Sequence, residues 1–187
     1  MNIAIFASGS GTNAENIINY FSNSETHNIS FVLSNKKDAF VLERANKHGV
    51  KSIFLTKSEL GDKEFMLTLL KKNNVDLIVL AGYLKLIPEF LVEKYVDKIV
   101  NIHPALLPKY GGKGMYGMNV HKAVVENNEL ETGITVHYVN AKYDDGQIIA
   151  QFKCSLTKSD TPDDVAEKIH HLEMDNFPQV IDNILSK

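Results

Sequence analysis

The segment Asn101-Ile102-His103-Pro104 places an amide and an imidazole two positions apart. Side chains alternate along an extended chain, so Asn101 and His103 point the same way, and Pro104 biases His103 away from helical geometry. An amide N–H and an imidazole N–H are both suited to stabilising an oxyanion, the imidazole more strongly when protonated. The same spacing is equally met by an asparagine capping a loop beside a histidine satisfied in the core or at the surface. Asp144 and Asp145 precede Gly146 between two strand-like segments, where turn chemistry alone explains them. An acid brought beside His103 raises the imidazole pKa and relays protons directly or through water.

A second candidate is the run Ser8-Gly9-Ser10-Gly11-Thr12-Asn13-Ala14. Its glycines permit close backbone approach, and the helix expected to start here offers free N–H groups to an anion such as a phosphate. The spacing also satisfies Gly-x-Gly-x-x-Ala, a variant of the dinucleotide fingerprint. After the second expected strand, however, the chain reads Ser34-Asn35-Lys36-Lys37. Without an acid to hold a ribose, NAD is disfavoured and NADP stays formally open. The plain alternative is a tight strand-to-helix turn with no ligand.

Other residues have simpler readings. His170 and His171 are adjacent and diverge on a helix, and His121 and His137 lack a Cys or acid at ligand spacing. No metal site is expected. Cys154 is the single cysteine and reads as a core or strand thiol. Lys36-Lys37 and Lys71-Lys72 read as solvated surface, and Met115 to Met118 as loop packing.

These groups need a scaffold, and apolar periodicity supplies one. Ile3 to Ala7, Ile29 to Leu33, Ser52 to Leu55, Val75 to Ala81 and Lys98 to Ile102 read as strands. Helices are expected at Thr12 to Phe21, at Asp38 to His48 ending at Gly49, at Asp62 to Lys72 with Phe65, Leu69 and Leu70 inward, and at Pro88 to Tyr95. Alternating strands and helices imply an α/β fold, an open and mostly parallel twisted sheet with right-handed crossovers. Ligands of such sheets bind beyond the carboxyl ends of the strands, the edge expected to carry Ser8 to Asn13 and Asn101 to His103.

After Gly111 the pattern changes. Gly111 to Gly117 reads as a mobile loop and Asn119 to Asn127 as a helix. Glu131 to Val139 and Gln147 to Cys154 alternate, which suggests an antiparallel pair at the sheet edge. Thr161-Pro162-Asp163-Asp164 starts a helix expected to be kinked or divided at Pro178 before Ile181 to Leu185.

The 187 residues fit one domain, 1–187, with 44% hydrophobic and 23% charged residues, as expected of a folded enzyme or binding domain. A net charge of −3 argues against general nucleic-acid binding. The apolar start Met1 to Phe6 is too short for a signal peptide, and no run is long enough to span a bilayer, so no membrane association and a cytoplasmic location are expected.

Taken together, these motifs resemble the phosphoribosylglycinamide formyltransferases, folate-dependent enzymes of purine synthesis. The resemblance covers nearly the whole chain. It rests on Ser8 to Asn13, Leu80-Ala81-Gly82-Tyr83-Leu84-Lys85-Leu86-Ile87, Asn101 to Pro108 and Asp144-Asp145-Gly146-Gln147-Ile148-Ile149. It implies a Rossmann-like formyltransferase fold and 10-formyltetrahydrofolate as cosubstrate, with no metal. By resemblance, Asn101, His103 and Asp144 are the catalytic trio. Ser10, Gly11, Thr12 and Asn13 take the phosphate of glycinamide ribonucleotide, and Glu173 takes its ribose. Leu84, Lys85, Leu86, Ile87 and Val92 form the folate pocket, and Leu107-Pro108 carries a cis peptide. The implied assembly is a monomer or homodimer.

Two features depart from the pattern. The glycine-rich segment Lys109 to Val120 is longer than in many relatives, and Asp145 stands where a small residue is common; its carboxylate either alters the local pKa or faces water. Two other formyltetrahydrofolate users, a hydrolase and a methionyl-tRNA formyltransferase, are rivals that normally carry an additional domain. A non-catalytic nucleotide-binding module explains Gly9 and Gly11 but gives no reason for Asn101, His103 and Asp144 to meet.

Overall fold

Uninterrupted apolar runs become the central strands. In the computed structural model, which describes residues 1–186, β1 (Asn2–Ala7) and β4 (Leu77–Leu80) are buried almost throughout. They pair in parallel, Ile3 opposite Leu77 and Phe6 opposite Leu80. β2 (Asn28–Ser34) runs parallel to β1 on its other side, with the short β3 (Ser52–Phe54) parallel beyond it. Strands apolar on both faces need helical cover on both faces. With β5 (Ile99–His103), β6 (Glu131–Tyr138) and β7 (Ile148–Ser155) they form one sheet of order β3-β2-β1-β4-β5-β6-β7. β6 and β7 pair antiparallel at its C-terminal edge, so the α/β reading with a mostly parallel sheet holds. The chain divides into two compact units, Met1–Val100 and a second that begins at Asn101.

In the first unit, α1 (Thr12–Phe21) buries Ala14, Ile17, Ile18 and Phe21 along one stripe. α2 (Phe40–Lys47) buries Val41 and Ala45, and Gly49 follows it at φ 70°, the left-handed stop expected there. α3 (Lys57–Gly61) has no counterpart among the elements expected from periodicity. Its signal is a capping box, Thr56 with Glu59, rather than an apolar stripe. α4 (Lys63–Lys72) starts at Asp62, whose side chain accepts from the Phe65 N–H, and it buries Met66 and Leu70. That corrects the inward face read from sequence: Phe65 is 41% exposed and Leu69 only half-buried. Phe65, Met66 and Leu67 are consecutive and cannot all face one side of a helix, and of the two i, i+4 pairs on offer Met66 with Leu70, not Phe65 with Leu69, takes the interior. α5 (Glu89–Lys94) is preceded by Pro88.

In the second unit, α6 (Met118–Glu126) buries Val120, His121 and Val124. α7 (Pro162–Leu185) opens on a capping box of Thr161 and Asp164 with Pro162 in its first turn, as expected. The expected division at Pro178 does not occur, and the helix runs unbroken for 24 residues. Pro178 removes one backbone N–H, but it is buried beside Phe177, Val180 and Ile181, and packing of that face carries the helix through. Among the described residues no helix is long and apolar enough to cross a membrane.

Candidate active site

In the first unit the turn after β1 is built around Gly11. It has φ 80°, and a Cβ there would lie 2.4–2.8 Å from Val41, including its Cα. Only glycine fits both demands. Gly11 is the N-cap of α1 and supplies no side-chain cap, and the N–H groups of a helix's first turn point out along its axis. That is the arrangement an anion needs. Arg44 braces the turn: its Nε donates to the Ser10 carbonyl at 3.0 Å, and its guanidinium pairs with Glu15, which also bonds His48.

The buried Ser8 links this turn to the Leu84 segment. Its hydroxyl donates to Asn35 Oδ1 (2.6 Å) and accepts from the Leu84 N–H (3.0 Å), while its own N–H donates to the Gly82 carbonyl. Leu84 and Leu86 stand 41% and 45% exposed, whereas Ile87 is buried and Val92 half-buried. Exposed leucines beside a polar turn form an apolar surface of the kind that lines small-molecule pockets. Gly11→Ala is expected to cost on the order of 2 kcal/mol or more through left-handed strain and collision, lowering the thermal midpoint by about 5 °C. A melting curve matching wild type would show that the turn is not packed this tightly.

In the second unit the structure brings Asn101, His103 and Asp144 together, and it adds His137. Asn101 and His103 come from β5, His137 from β6, and Asp144 from the β6–β7 connection. Asp144 Oδ1 lies 3.5 Å from His103 Nδ1 and 3.7 Å from His137 Nε2. Asp144 Oδ2 accepts from the Gly112 N–H at 2.9 Å, so the glycine-rich segment helps to hold the acid. Asp144 sits at φ 52°, and Gly146 then packs so closely on β6 that a Cβ would fall 1.7 Å from the Tyr138 carbonyl. Asp145 faces water, 57% exposed and 3.5 Å from Lys142.

The histidines' protons follow from their partners. His137 Nδ1 lies 2.8 Å from the Tyr138 carbonyl, which only accepts, so that nitrogen carries hydrogen. His137 Nε2 has the Asn101 amide nitrogen at 3.1 Å, within hydrogen-bond reach, and the Asp144 oxygen at a longer distance. In the neutral ring, therefore, Asn101 donates one N–H to His137 and keeps its second for another acceptor. His103 Nε2 donates to the Tyr110 carbonyl at 2.8 Å, which turns Nδ1 to Asp144.

Burial holds the His103 imidazole below its ordinary pKa and outweighs Asp144 and the Tyr110 carbonyl, which both pull it up; His137 lowers it further. Burial pushes the Asp144 carboxyl up. It is outweighed by His137, by the charge His103 can carry and by the Gly112 N–H, which together leave Asp144 below the usual carboxylate range. The cluster is thus an ionised acid against a buried imidazole, with an amide donor alongside, a set that can hold an oxyanion and move a proton.

Residues 1–181 match the family model described as formyl transferase. The chain belongs to the formyl transferase family. Among the relatives of this family member is a chloroplastic phosphoribosylglycinamide formyltransferase of Arabidopsis thaliana, 39% identical over 96% of the chain. The chain spans 63% of that relative's length. The phosphoribosylglycinamide formyltransferase of Haemophilus influenzae is 36% identical over 96% of the chain and 84% of its own length. A crystal structure of the phosphoribosylglycinamide formyltransferase from Bacillus halodurans superposes with a TM-score of 0.88 at 35% identity, covering 100% of this chain and 96% of that one.

In this family member the Leu107-Pro108 peptide is cis, as the resemblance implied. Glu173 lies on α7, its carboxylate 4.0 Å from His170 Nδ1 on the preceding turn. His137 is the cluster member that sequence reasoning passed over. It sits just after a register shift between Val136 and His137, and such a bulge re-aims a side chain. Nothing in the spacing of residues 101 and 137 signals that they meet.

Proposed function

We propose that the chain transfers the formyl group of 10-formyltetrahydrofolate to the amine of glycinamide ribonucleotide, giving formylglycinamide ribonucleotide and tetrahydrofolate in purine synthesis. The observation that carries this reading is the meeting of the buried His103 with the half-buried Asn101 and Asp144, in a formyl transferase chain whose relatives bear that activity in their names. The neutral amine attacks the formyl carbon, a C–N bond forms, and the carbonyl oxygen becomes an oxyanion. The free N–H of Asn101 and the Nε2–H of His103, moving from the Tyr110 carbonyl to the oxyanion, stabilise that charge. Asp144 accepts from His103 Nδ1 and stabilises the ring whenever it is protonated, and it assists passage of the amine proton to the departing folate nitrogen as its bond to carbon breaks.

In this reading Ser10, Gly11, Thr12 and Asn13 hold the phosphate, and Glu173 holds the ribose. Leu84, Lys85, Leu86, Ile87 and Val92 take the folate. The whole of 1–187 acts as one formyltransferase domain, cytoplasmic, as a monomer or homodimer. The uncapped first turn of α1 supports the phosphate assignment, and the exposed leucines support the folate one. The test is a formyl-transfer assay with the two named substrates. Product is expected with wild type, and about 10²–10³-fold more slowly with His103→Ala; absence of product from folded wild type would overturn the reading.

A further inference from the structure

Tyr110 is held in an unusual way for a residue in a connection. Its φ is 57°, a left-handed backbone that a tyrosine adopts only when its surroundings impose it. The far end of the side chain is also held, its hydroxyl donating to Glu129 Oε1 at 2.8 Å. Glu129 is itself anchored. Its N–H donates to the Val124 carbonyl at the end of α6, and its side chain is only 23% exposed. Lys109 reaches the same carboxylate oxygen at 2.9 Å, but from a side chain 68% exposed, so it is the weaker restraint. At the other end of the residue, the Tyr110 carbonyl accepts from His103 Nε2.

We propose that Tyr110 and Glu129 form a positioning tether for His103, in which the phenol–carboxylate bond fixes the Tyr110 backbone and its carbonyl fixes the imidazole's tautomer and aim. The proposal rests on the functional reading above for what His103 does, but not for the tether. Without the carbonyl in place, Nε2 has no partner to keep its hydrogen there, and Nδ1 no longer turns to Asp144. The carbonyl holds the Nε2–H in the donor state until the oxyanion takes it over. Neither Tyr110 nor Glu129 touches reacting atoms in this scheme. The phenol keeps its proton throughout: burial, with the Glu129 bond and charge, pushes its pKa up to about 12.

The experiment compares Tyr110→Phe, Glu129→Ala and Glu129→Gln with wild type. One arm follows His103 by nitrogen-15 NMR titration without substrate; the other measures kcat and KM. The groups facing His103 are Asp144, His137 and the Tyr110 carbonyl, of which the carbonyl favours the protonated ring. In Tyr110→Phe and Glu129→Ala the His103 titration is expected to move to lower pH. In both variants kcat is expected to fall by about 10- to 100-fold with KM unchanged, since a misplacement of about 1 Å costs up to about 10²-fold. Glu129→Gln retains an oxygen acceptor and is expected to restore both readouts towards wild type. A His103 titration unmoved in Glu129→Ala overturns the tether, and so does equal damage from Glu129→Gln. Should Tyr110→Phe fail to fold, the two Glu129 variants decide. Inactive wild type would sink the functional reading and leave the titration arm to judge the tether alone.

Discussion

Asp144→Asn is expected to lower kcat by about 10²–10⁴-fold while changing affinity for glycinamide ribonucleotide by less than about threefold, because it removes proton handling and leaves the phosphate turn untouched. The substitution conserves size, and the amide oxygen can still accept from the Gly112 N–H. What disappears is the negative charge 3.5 Å from His103 Nδ1. His103 already sits below its ordinary pKa through burial, and loss of the opposing pull from Asp144 drops it further. Steady-state kinetics on the purified, folded variant check the first expectation; near-normal turnover would remove Asp144 from the mechanism.

Unfolding experiments carry a second consequence of the same substitution. Asp144 has a folded pKa below its ordinary 3.8, so it stabilises the fold above that pH, and the contribution is lost as pH falls through the folded value. The stability gap between wild type and Asp144→Asn should therefore be widest above about pH 4 and close on acidification. His103 acts in the same sense for its own reason: a ring kept neutral by burial costs the folded state more as pH drops below its unfolded value.

The frame was legible because its signals are local. β1, β4 and α1 announce themselves through unbroken apolar runs or one apolar stripe, and Gly49 and Thr161 mark helix ends with single residues. Asn101 and His103 were legible as a pair because period-two geometry fixes their common side. Asp144 was different. In sequence it is indistinguishable from a turn acid, and its left-handed backbone is indeed that of a turn; the close packing of Gly146 on Tyr138 and the Gly112 N–H hold it beside His103. His137 was less legible still, since a bulge in β6 redirects it and β6 is buried on both faces, so the alternation of its sequence does not mark an inward side. The errors at Phe65 and Pro178 share one cause. Tertiary packing chose Met66 and Leu70 as the buried pair and kept α7 continuous, and neither choice is local.

His103→Ala and Asn101→Ala are each expected to reduce kcat by about 10²–10³-fold, the loss usual for one donor of a preorganised oxyanion site. The informative measurement is the double variant. Asn101 is fixed by His137, His137 approaches Asp144, and Asp144 approaches His103, so the two donors are held by one continuous set of contacts. Removing either loosens the other, and both serve the same charge. The double variant is therefore expected to lose much less than the product of the single losses, as residues acting as a unit do. Multiplicative losses would mean that the two side chains serve independent steps, and the amide would then have to be assigned to binding the formyl group in the ground state rather than to the oxyanion. A fall in kcat at constant KM for Asn101→Ala alone separates these cases, because ground-state binding lost would appear in KM.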